Sequence, residues 1–232
     1  MSKLDHIVIL TGAGISAESG IQTFRDSGGL WENHPVEQVA TPEGFAADPA
    51  LVHRFYNLRR SALSSVEPNA AHKSLAKLQT EFDGQVTLVT QNVDDLHERG
   101  GSSEVIHMHG ELRSAFCSAC YHRWQQLEDL SVETLCPACQ TPGGPRPDIV
   151  WFGEMPYEMD RIERALQNCD LFVSIGTSGA VYPAAGFVQL AHMQGAQTLE
   201  LNLEPSQGSA FFSETRHGPA TQLVPEWVAS LL

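Results

Sequence analysis

The chain has 232 residues, 42% hydrophobic and 18% charged, with 14 basic against 28 acidic residues and a formal net charge of −14. That length holds one large α/β domain plus a small satellite module, and the composition excludes a coiled coil or a disordered chain. The acidic balance argues against nucleic acid as the main partner, since such proteins carry a basic patch that releases phosphate counterions. It either favours lysine-bearing protein segments, weakly and in a salt-dependent way, or simply maintains solubility. No apolar run approaches the roughly 20 residues of a membrane span. Met1 to Leu10 lacks the apolar region and cleavage site of a signal peptide, so a cytoplasmic location away from membranes is expected.

In chain order, HIVIL (His6 to Leu10) reads as a first, buried strand that stops at Thr11-Gly12-Ala13-Gly14. Further strands are expected at Val86–Val89, Glu104–Ile106, Asp170–Ile175 and Thr198–Leu203. Helical patterns occupy roughly Pro49–Ser65, Asn69–Glu81, Met159–Asn168, Pro183–Met193 and Pro225–Leu232. The alternation predicts an α/β fold: a Rossmann-like, doubly wound parallel sheet with ligands at the strands' C-terminal ends. Two stretches interrupt it, a long helical one and a Cys- and Pro/Gly-rich one. The expected division is 1–34, 82–112 and 148–232 for the dinucleotide domain, 35–81 for a helical insertion and 113–147 for a metal module, with the ligand cleft between them.

Gly12-Ala13-Gly14-Ile15-Ser16-Ala17 fits G-x-G-x-x-A directly after a strand. The glycines allow a tight turn that aims amide N–H groups at a pyrophosphate. A dehydrogenase fingerprint also places an acidic residue about 20 positions on, at the end of a second strand. Here that region reads FRDSGGLWENHP, a loop, which argues against hydride chemistry.

The metal module is expected to hold one structural zinc. Cys117-x-x-Cys120 and Cys136-x-x-Cys139 are separated by 15 residues, a zinc-ribbon spacing in which four thiolates close a tetrahedron and leave no position for a reactive water. Cys169 sits in an apolar run and is expected to pack in the core.

TGAGISAESGIQTFRDSGGLW (Thr11 to Trp31) is similar to the NAD-binding signature of the sirtuins. The likeness continues through Thr90-Gln91-Asn92-Val93-Asp94, His107-Met108-His109-Gly110, Val150-Trp151-Phe152-Gly153-Glu154, Gly176-Thr177-Ser178 and Asn202-Leu203-Glu204. It spans nearly the whole chain and is especially close to bacterial members. The resemblance implies a deacylase that consumes NAD and acts on acyl-lysine-bearing proteins. In that chemistry the acyl oxygen attacks the nicotinamide ribose as nicotinamide leaves. A histidine then activates a ribose hydroxyl, and water releases free lysine and O-acyl-ADP-ribose.

The family pattern puts this base immediately before a glycine, which selects His109; an imidazole titrates near neutral pH and can take that proton. His107, two residues earlier, is expected to point elsewhere. Asn92 and Asp94 match positions that orient ribose and nicotinamide, and Gln91 and Val93 complete that loop. Gly12 to Ala17 with Glu18, and Thr23, Phe24, Arg25 and Trp31 of the loop expected to cover the cofactor, match cofactor contacts. Gly176, Thr177, Ser178, Asn202, Leu203 and Glu204 match the phosphate and adenosine side, with Ala220 a late adenine position. Val150 to Glu154, comprising Trp151, Phe152 and Gly153, is expected to pair with substrate peptide as an added strand.

Tyr56 and Arg59 lie three apart on a predicted helix and share a face. They can offer a hydroxyl and a guanidinium to one carboxylate. On spacing alone a solvated helix face, the usual fate of an arginine pair, is the favoured reading, but Tyr-x-x-Arg is similar to the sirtuin subgroup acting on succinyl- and malonyl-lysine, which implies an acidic-acyl pocket beside deacetylation. Rival readings are mono-ADP-ribosyl transfer at the same site and a non-catalytic NAD-binding scaffold.

Overall fold

A computed structural model describes residues 4–21, 30–31 and 34–232. The fold grows from β1, His6–Thr11, whose six residues are all buried. It pairs in parallel with β4, Gln85–Thr90, on one side and with β9, Leu171–Ile175, on the other. A two-residue β5, Ile106–His107, extends the sheet beyond β4. On the other side it grows through β10, Gln197–Asn202, and β11, Glu214–His217, giving the order β11-β10-β9-β1-β4-β5.

Side chains alternate along a strand, so β1 feeds two cores. Ile7 and Ile9 face α5 (Ala70–Glu81) and α9 (Ala220–Ala229), packing with Leu75, Leu78 and Trp227. Val8 and Leu10 face α7 (Met159–Gln167) and α8 (Phe187–Met193), packing with Ile162, Leu166 and Phe187. A sheet covered on both faces needs apolar residues on both, which is why these strands read as unbroken apolar runs.

The chain leaves β1 toward β4 and returns to β9 on the opposite flank. The strand order therefore reverses between β1 and β9, and a crevice opens at their C-terminal ends. There the turn Gly12–Gly14 packs backbone against backbone on Gly176. Gly12 N donates to Ile175 O at 2.9 Å and Gly14 N to Gly176 O at 2.8 Å. A Cβ on Gly14 would lie 2.7 Å from Gly176 Cα, and one on Gly176, whose φ is +62°, 2.4 Å from Ile15 N. The glycines are thus required by loop-on-loop contact as well as by room for a ligand. The helix after the turn is a single turn, α1, Gly14–Ala17.

Between β1 and β4, the pair β2 (Leu30–Trp31) and β3 (His34–Pro35) leads into α2 (Val36–Val39), α3 (Pro42–Ala47) and α4 (Pro49–Ala62). Asp48 caps α4 by accepting from Leu51 N, with Pro49 at its first position, and Asn69 caps α5 in a capping box with His72. Thr41 caps α3 the same way. A third core of Val39, Val52, Phe55, Tyr56, Leu112, Ile149 and Trp151 joins these helices to the rest.

The other excursion is an antiparallel sheet of β6 (Gly110–Cys117), β7 (Arg123–Gln125) and β8 (Pro145–Ile149), ordered β7-β6-β8. Arg60, buried on α4, staples it in place by donating to Leu112 O at 2.6 Å, while Asn57 Oδ1 on the same helix accepts from its guanidinium at 2.8 Å.

Several expectations shift. The last helix begins at Ala220 and carries Pro225 inside it, five residues ahead of the start read from the sequence. The expected strand Glu104–Ile106 shrinks to Ile106–His107, the expected helix Pro183–Met193 is α-helical only from Phe187, and β2, β3, β6, β7, β8 and β11 have no counterpart among the expected strands. Among the described residues no helix is long and apolar enough to cross a membrane.

Candidate active site

The β1 turn, the segment after β4 and the residues joining β5 to β6 converge beside the crevice. After β4 the chain runs Gln91-Asn92-Val93-Asp94. Thr90 Oγ1 accepts from Asn92 N at 3.0 Å and from Thr11 Oγ1 at 2.8 Å, which pins the start of this segment to β1. The Val93 carbonyl accepts from Leu112 N at 2.8 Å and ties its centre to β6.

Ser16, fully buried, is the hub. Its hydroxyl donates to Asp94 Oδ2 at 3.1 Å and accepts from Asn92 Nδ2 at 3.1 Å. His72 Nε2 lies 3.4 Å away. Because Asn69 N donates to His72 Nδ1, the ring proton sits on Nε2 and points at Ser16, so the serine oxygen has one donor bond and two acceptor bonds, its full complement. His97 Nε2 lies 2.9 Å from Thr11 Oγ1 on the same web. Burial pushes the Asp94 carboxyl up, against the Leu96 amide, the Ser16 hydroxyl and the His107 charge, which pull it down.

His107 and His109 sit two residues apart. A continuous strand would put both on one face; β5 instead ends at His107, where Met108 N turns back to Thr90 O. His107 Nδ1 faces Asn92 O at 3.2 Å and Nε2 faces Glu98 Oε1 at 2.8 Å. Both partners only accept, so both nitrogens carry protons. Burial opposes this charge, but Glu98, Glu111 and the Asn92 carbonyl outweigh it and raise the pKa. His109 is the opposite case. Its Nδ1 donates to Gln91 O at 3.2 Å, which leaves the lone pair on Nε2. Burial lowers its pKa, with the Gln91 carbonyl a smaller opposing influence, so the ring is a neutral base at neutral pH. Gly110 follows at φ +81°, where an added Cβ would fall 2.0 Å from Asp148 O. This glycine is what lets β6 start against the end of β8.

On the other flank, the Asn202 amide donates to Thr177 O at 2.7 Å and accepts from Leu203 N. Thr177 Oγ1 lies 3.1 Å from Ser174 Oγ, and Ser178 O accepts from Gln207 N. Gln91, Ser174, Thr177, Val181 and Leu10 line one cleft. Leu203 and Glu204 are exposed, and Ala220 opens α9. Glu18 turns its carboxylate to Thr221 N and Oγ1, serving the N-terminus of α9. Thr23, Phe24 and Arg25 lie outside the described residues. Trp31 is described only as backbone, paired with His34.

Val150 N donates to His109 O and Phe152 N to Ala40 O, each at 2.9 Å, so Val150–Glu154 runs from the base to the helical excursion. Gly153 sits at φ +93°, and a Cβ added there would meet nothing within 4 Å, which leaves that face open. Tyr56 is fully buried, and its oxygen accepts from Trp151 Nε1 at 3.0 Å. Arg59 follows one turn later, half-buried, its guanidinium 5.6 Å from the centre of the Phe55 ring.

The four module cysteines place their sulfurs within 4.8 Å of one another, with Cys117–Cys139 at 3.7 Å and Cys120–Cys136 at 3.6 Å. Tetrahedral zinc with bonds of about 2.3 Å has an edge of about 3.8 Å, and a disulfide is far shorter. Each knuckle closes alike, with Tyr121 N donating to Cys117 O and Gln140 N to Cys136 O, at φ of 62° and 57°. The cluster fits one zinc ion. Cys169 is buried in the α7–α8 core.

Sequence reasoning misses His72, His97 and Thr11. The signal for His72 is present, since Asn69-x-x-His72 has capping-box spacing; its reach to Ser16 is not.

The family model described as the Sir2 family matches residues 12–183. The chain belongs to the Sir2 family. An NAD-dependent protein deacylase of Vibrio vulnificus is 58% identical over 229 residues, spanning 98% of this chain and 94% of that protein. Another, of Pasteurella multocida, is 57% identical and covers all of both chains. Among solved structures, a Sir2 homolog–NAD complex superposes with TM-score 0.89 at 36% identity, over 99% of this chain and 90% of that one. Sir2 bound to acetylated peptide gives TM-score 0.83 at 27% identity, over 98% and 94%.

Three buried histidines make a stability prediction. Burial lowers the pKa of His53 and His72 to about 4 and of His97 well below the ordinary value. Both ring nitrogens of His53 are buried without a hydrogen-bond partner among the described residues. The folded protein therefore binds fewer protons than the unfolded chain between about pH 6.5 and 4. Stability is full above that window and is lost as pH falls through it, by up to roughly 3 kcal/mol per histidine. Thermal unfolding followed from pH 8 to 4 is expected to be flat, then steep, with a shallower acid limb in His53→Leu. An unchanged limb in that variant rejects the assignment for His53.

Proposed function

We propose that this protein removes acyl groups from protein lysines and consumes NAD as co-substrate. The observation that carries the reading is the His109 tautomer: a neutral ring whose basic Nε2 is set by the Gln91 carbonyl, next to the Asn92–Asp94 segment. Family members solved with NAD and with acetylated peptide support both substrates. In this reading the acyl oxygen attacks the ribose C1′ and nicotinamide leaves with the bonding pair. His109 Nε2 then takes the proton of a ribose hydroxyl as that oxygen attacks the imidate carbon. Water completes the release of lysine and O-acyl-ADP-ribose. Asn92 and Asp94, locked by Ser16, hold the ribose and nicotinamide; Gly12–Ala17 and Gly176–Ser178 take the phosphates, and Asn202 the adenosine ribose. Val150–Glu154 pairs with the peptide. The chain divides accordingly into the dinucleotide domain (1–34, 82–112, 148–232), the helical insertion (35–81) and the zinc module (113–147).

The reading extends to acidic acyl groups through Tyr56 and Arg59. Tyr56 and Arg59 lie one turn apart on α4, and burial raises the pKa of the Tyr56 phenol while the Arg59 charge opposes it. Arg60 points the other way, into Leu112 O. A charge-assisted hydrogen bond contributes about 1.5–3 kcal/mol. With NAD and acylated peptides, Arg59→Met is expected to lower desuccinylation on the order of 10- to 100-fold and deacetylation far less, read by mass spectrometry of lysine unmasking and O-acyl-ADP-ribose. Equal losses on both substrates remove Arg59 from this role, and NAD left intact with every acylated peptide sinks the deacylase reading itself.

A further inference from the structure

The acyl pocket and the peptide-pairing segment meet at one side chain. Trp151, 2% exposed, donates its indole N–H to the Tyr56 oxygen at 3.0 Å. An indole N–H can only donate, so the phenol is the acceptor in this bond and its own proton is turned away from the indole. The indole is fixed on every side. Its residue's main-chain N–H donates to Glu154 Oε2 at 2.9 Å. Glu154 receives both arms of Arg146 at 2.8 Å each. The Arg146 guanidinium also lies 3.6 Å from the centre of the indole ring and donates to Ile149 O. A two-pronged arginine–carboxylate pair sets direction as well as distance, and Phe45 packs 5.2 Å from the indole to complete the enclosure.

We propose that Trp151 is a positioning residue for acyl selectivity: its indole N–H fixes the Tyr56 hydroxyl as a donor toward a carboxylate-ended acyl chain, and Arg146 with Glu154 holds the indole in place. This rests on the acidic-acyl reading of Tyr56 and Arg59. A carboxylate only accepts and gains from a donor held ready, whereas an acetyl methyl gains nothing. The arrangement also makes one rigid unit of the segment that pairs with peptide and the pocket that reads the acyl end, so the two recognitions share a single preorganised geometry.

The test is the ratio of kcat/KM on succinylated and acetylated forms of one peptide, at saturating NAD, for Trp151→Phe, Tyr56→Phe and the double variant, each checked for native unfolding temperature. Loss of the phenol's charge-assisted bond to the carboxylate corresponds to about a 10- to 100-fold change, and loss of the neutral indole bond to about a five- to tenfold one. Tyr56→Phe is expected to lower the succinyl-to-acetyl ratio by the first factor and Trp151→Phe by the second, and the double variant no further than Tyr56→Phe. If Tyr56→Phe leaves the ratio unchanged, the acidic-acyl reading falls and this proposal with it. A lowered ratio in Tyr56→Phe with an unchanged one in Trp151→Phe overturns this proposal alone, as do losses that multiply in the double variant. Should Trp151→Phe not fold, the indole N–H resonances of the four tryptophans decide it. One is expected to move in Tyr56→Phe and on adding succinylated peptide to the wild type; no movement in Tyr56→Phe overturns the proposal.

Discussion

Replacing His109 by alanine is expected to lower lysine unmasking about a thousandfold, within the 10²–10⁴ range of a positioned general base. Exchange of labelled nicotinamide into NAD in the presence of acylated peptide is expected to persist. The separation follows from the order of events, because nicotinamide leaves before the ribose hydroxyl needs its base. It also follows from the packing. His109 is half-buried and makes one hydrogen bond through Nδ1, to a main-chain carbonyl, so its loss leaves the Ser16–Asn92–Asp94 web intact. His107→Ala is the contrasting case. It removes a buried cation that faces Asn92 O and Glu98, so it is expected to reduce both readouts together. Equal loss of exchange and unmasking in His109→Ala contradicts the assignment.

Zinc removal is the second large effect. Cys117 and Cys136 are fully buried and Cys120 and Cys139 exposed, so the metal seals one side of a module whose own core is small. Structural zinc in such modules contributes about 10–16 kcal/mol of apparent folding free energy, comparable to the whole stability of an ordinary domain. Cys136→Ser, or chelation under mild denaturant, is expected to abolish the single bound zinc and unfold residues around β6–β8. Activity then falls indirectly, because β8 leads straight into Val150–Glu154 and Gly110, at the start of β6, follows the base. Hydrogen exchange should rise first within 110–149. Metal-free protein with native protection there and full activity contradicts a structural role.

How much of this is legible in the sequence varies with the range of the forces involved. The strands of the sheet centre announce themselves because both faces are buried, leaving unbroken apolar runs such as HIVIL. The helices α4 and α5 do so because Pro49, Asp48 and Asn69 are local caps. Strand β11, ETRH, carries no such pattern; it is a polar edge strand held by β10 alone. The start of α9 escapes sequence reading because Pro225 resembles a first helical residue, while the carboxylate that serves the true start belongs to Glu18, 203 positions away.

The site divides the same way. His109, the glycine turn and the cysteine pairs are short motifs whose spacing carries their chemistry. The web around Ser16 draws on α5, β4 and α6 (Leu96–Arg99), and no local pattern encodes that meeting. Helical spacing puts Tyr56 and Arg59 on one face but says nothing of what covers it. The phenol is sealed against Trp151, a contact across 95 residues.

The proposed chemistry turns on one atom, the unprotonated ring nitrogen of His109. A crystal structure of the protein with an unreactive NAD analogue and acylated peptide measures its position directly. The expected result is Nε2 about 3 Å from a hydroxyl of the nicotinamide ribose, with Nδ1 still on Gln91 O. A complex in which that nitrogen faces away from the ribose, or in which another side chain holds the hydroxyl, contradicts it.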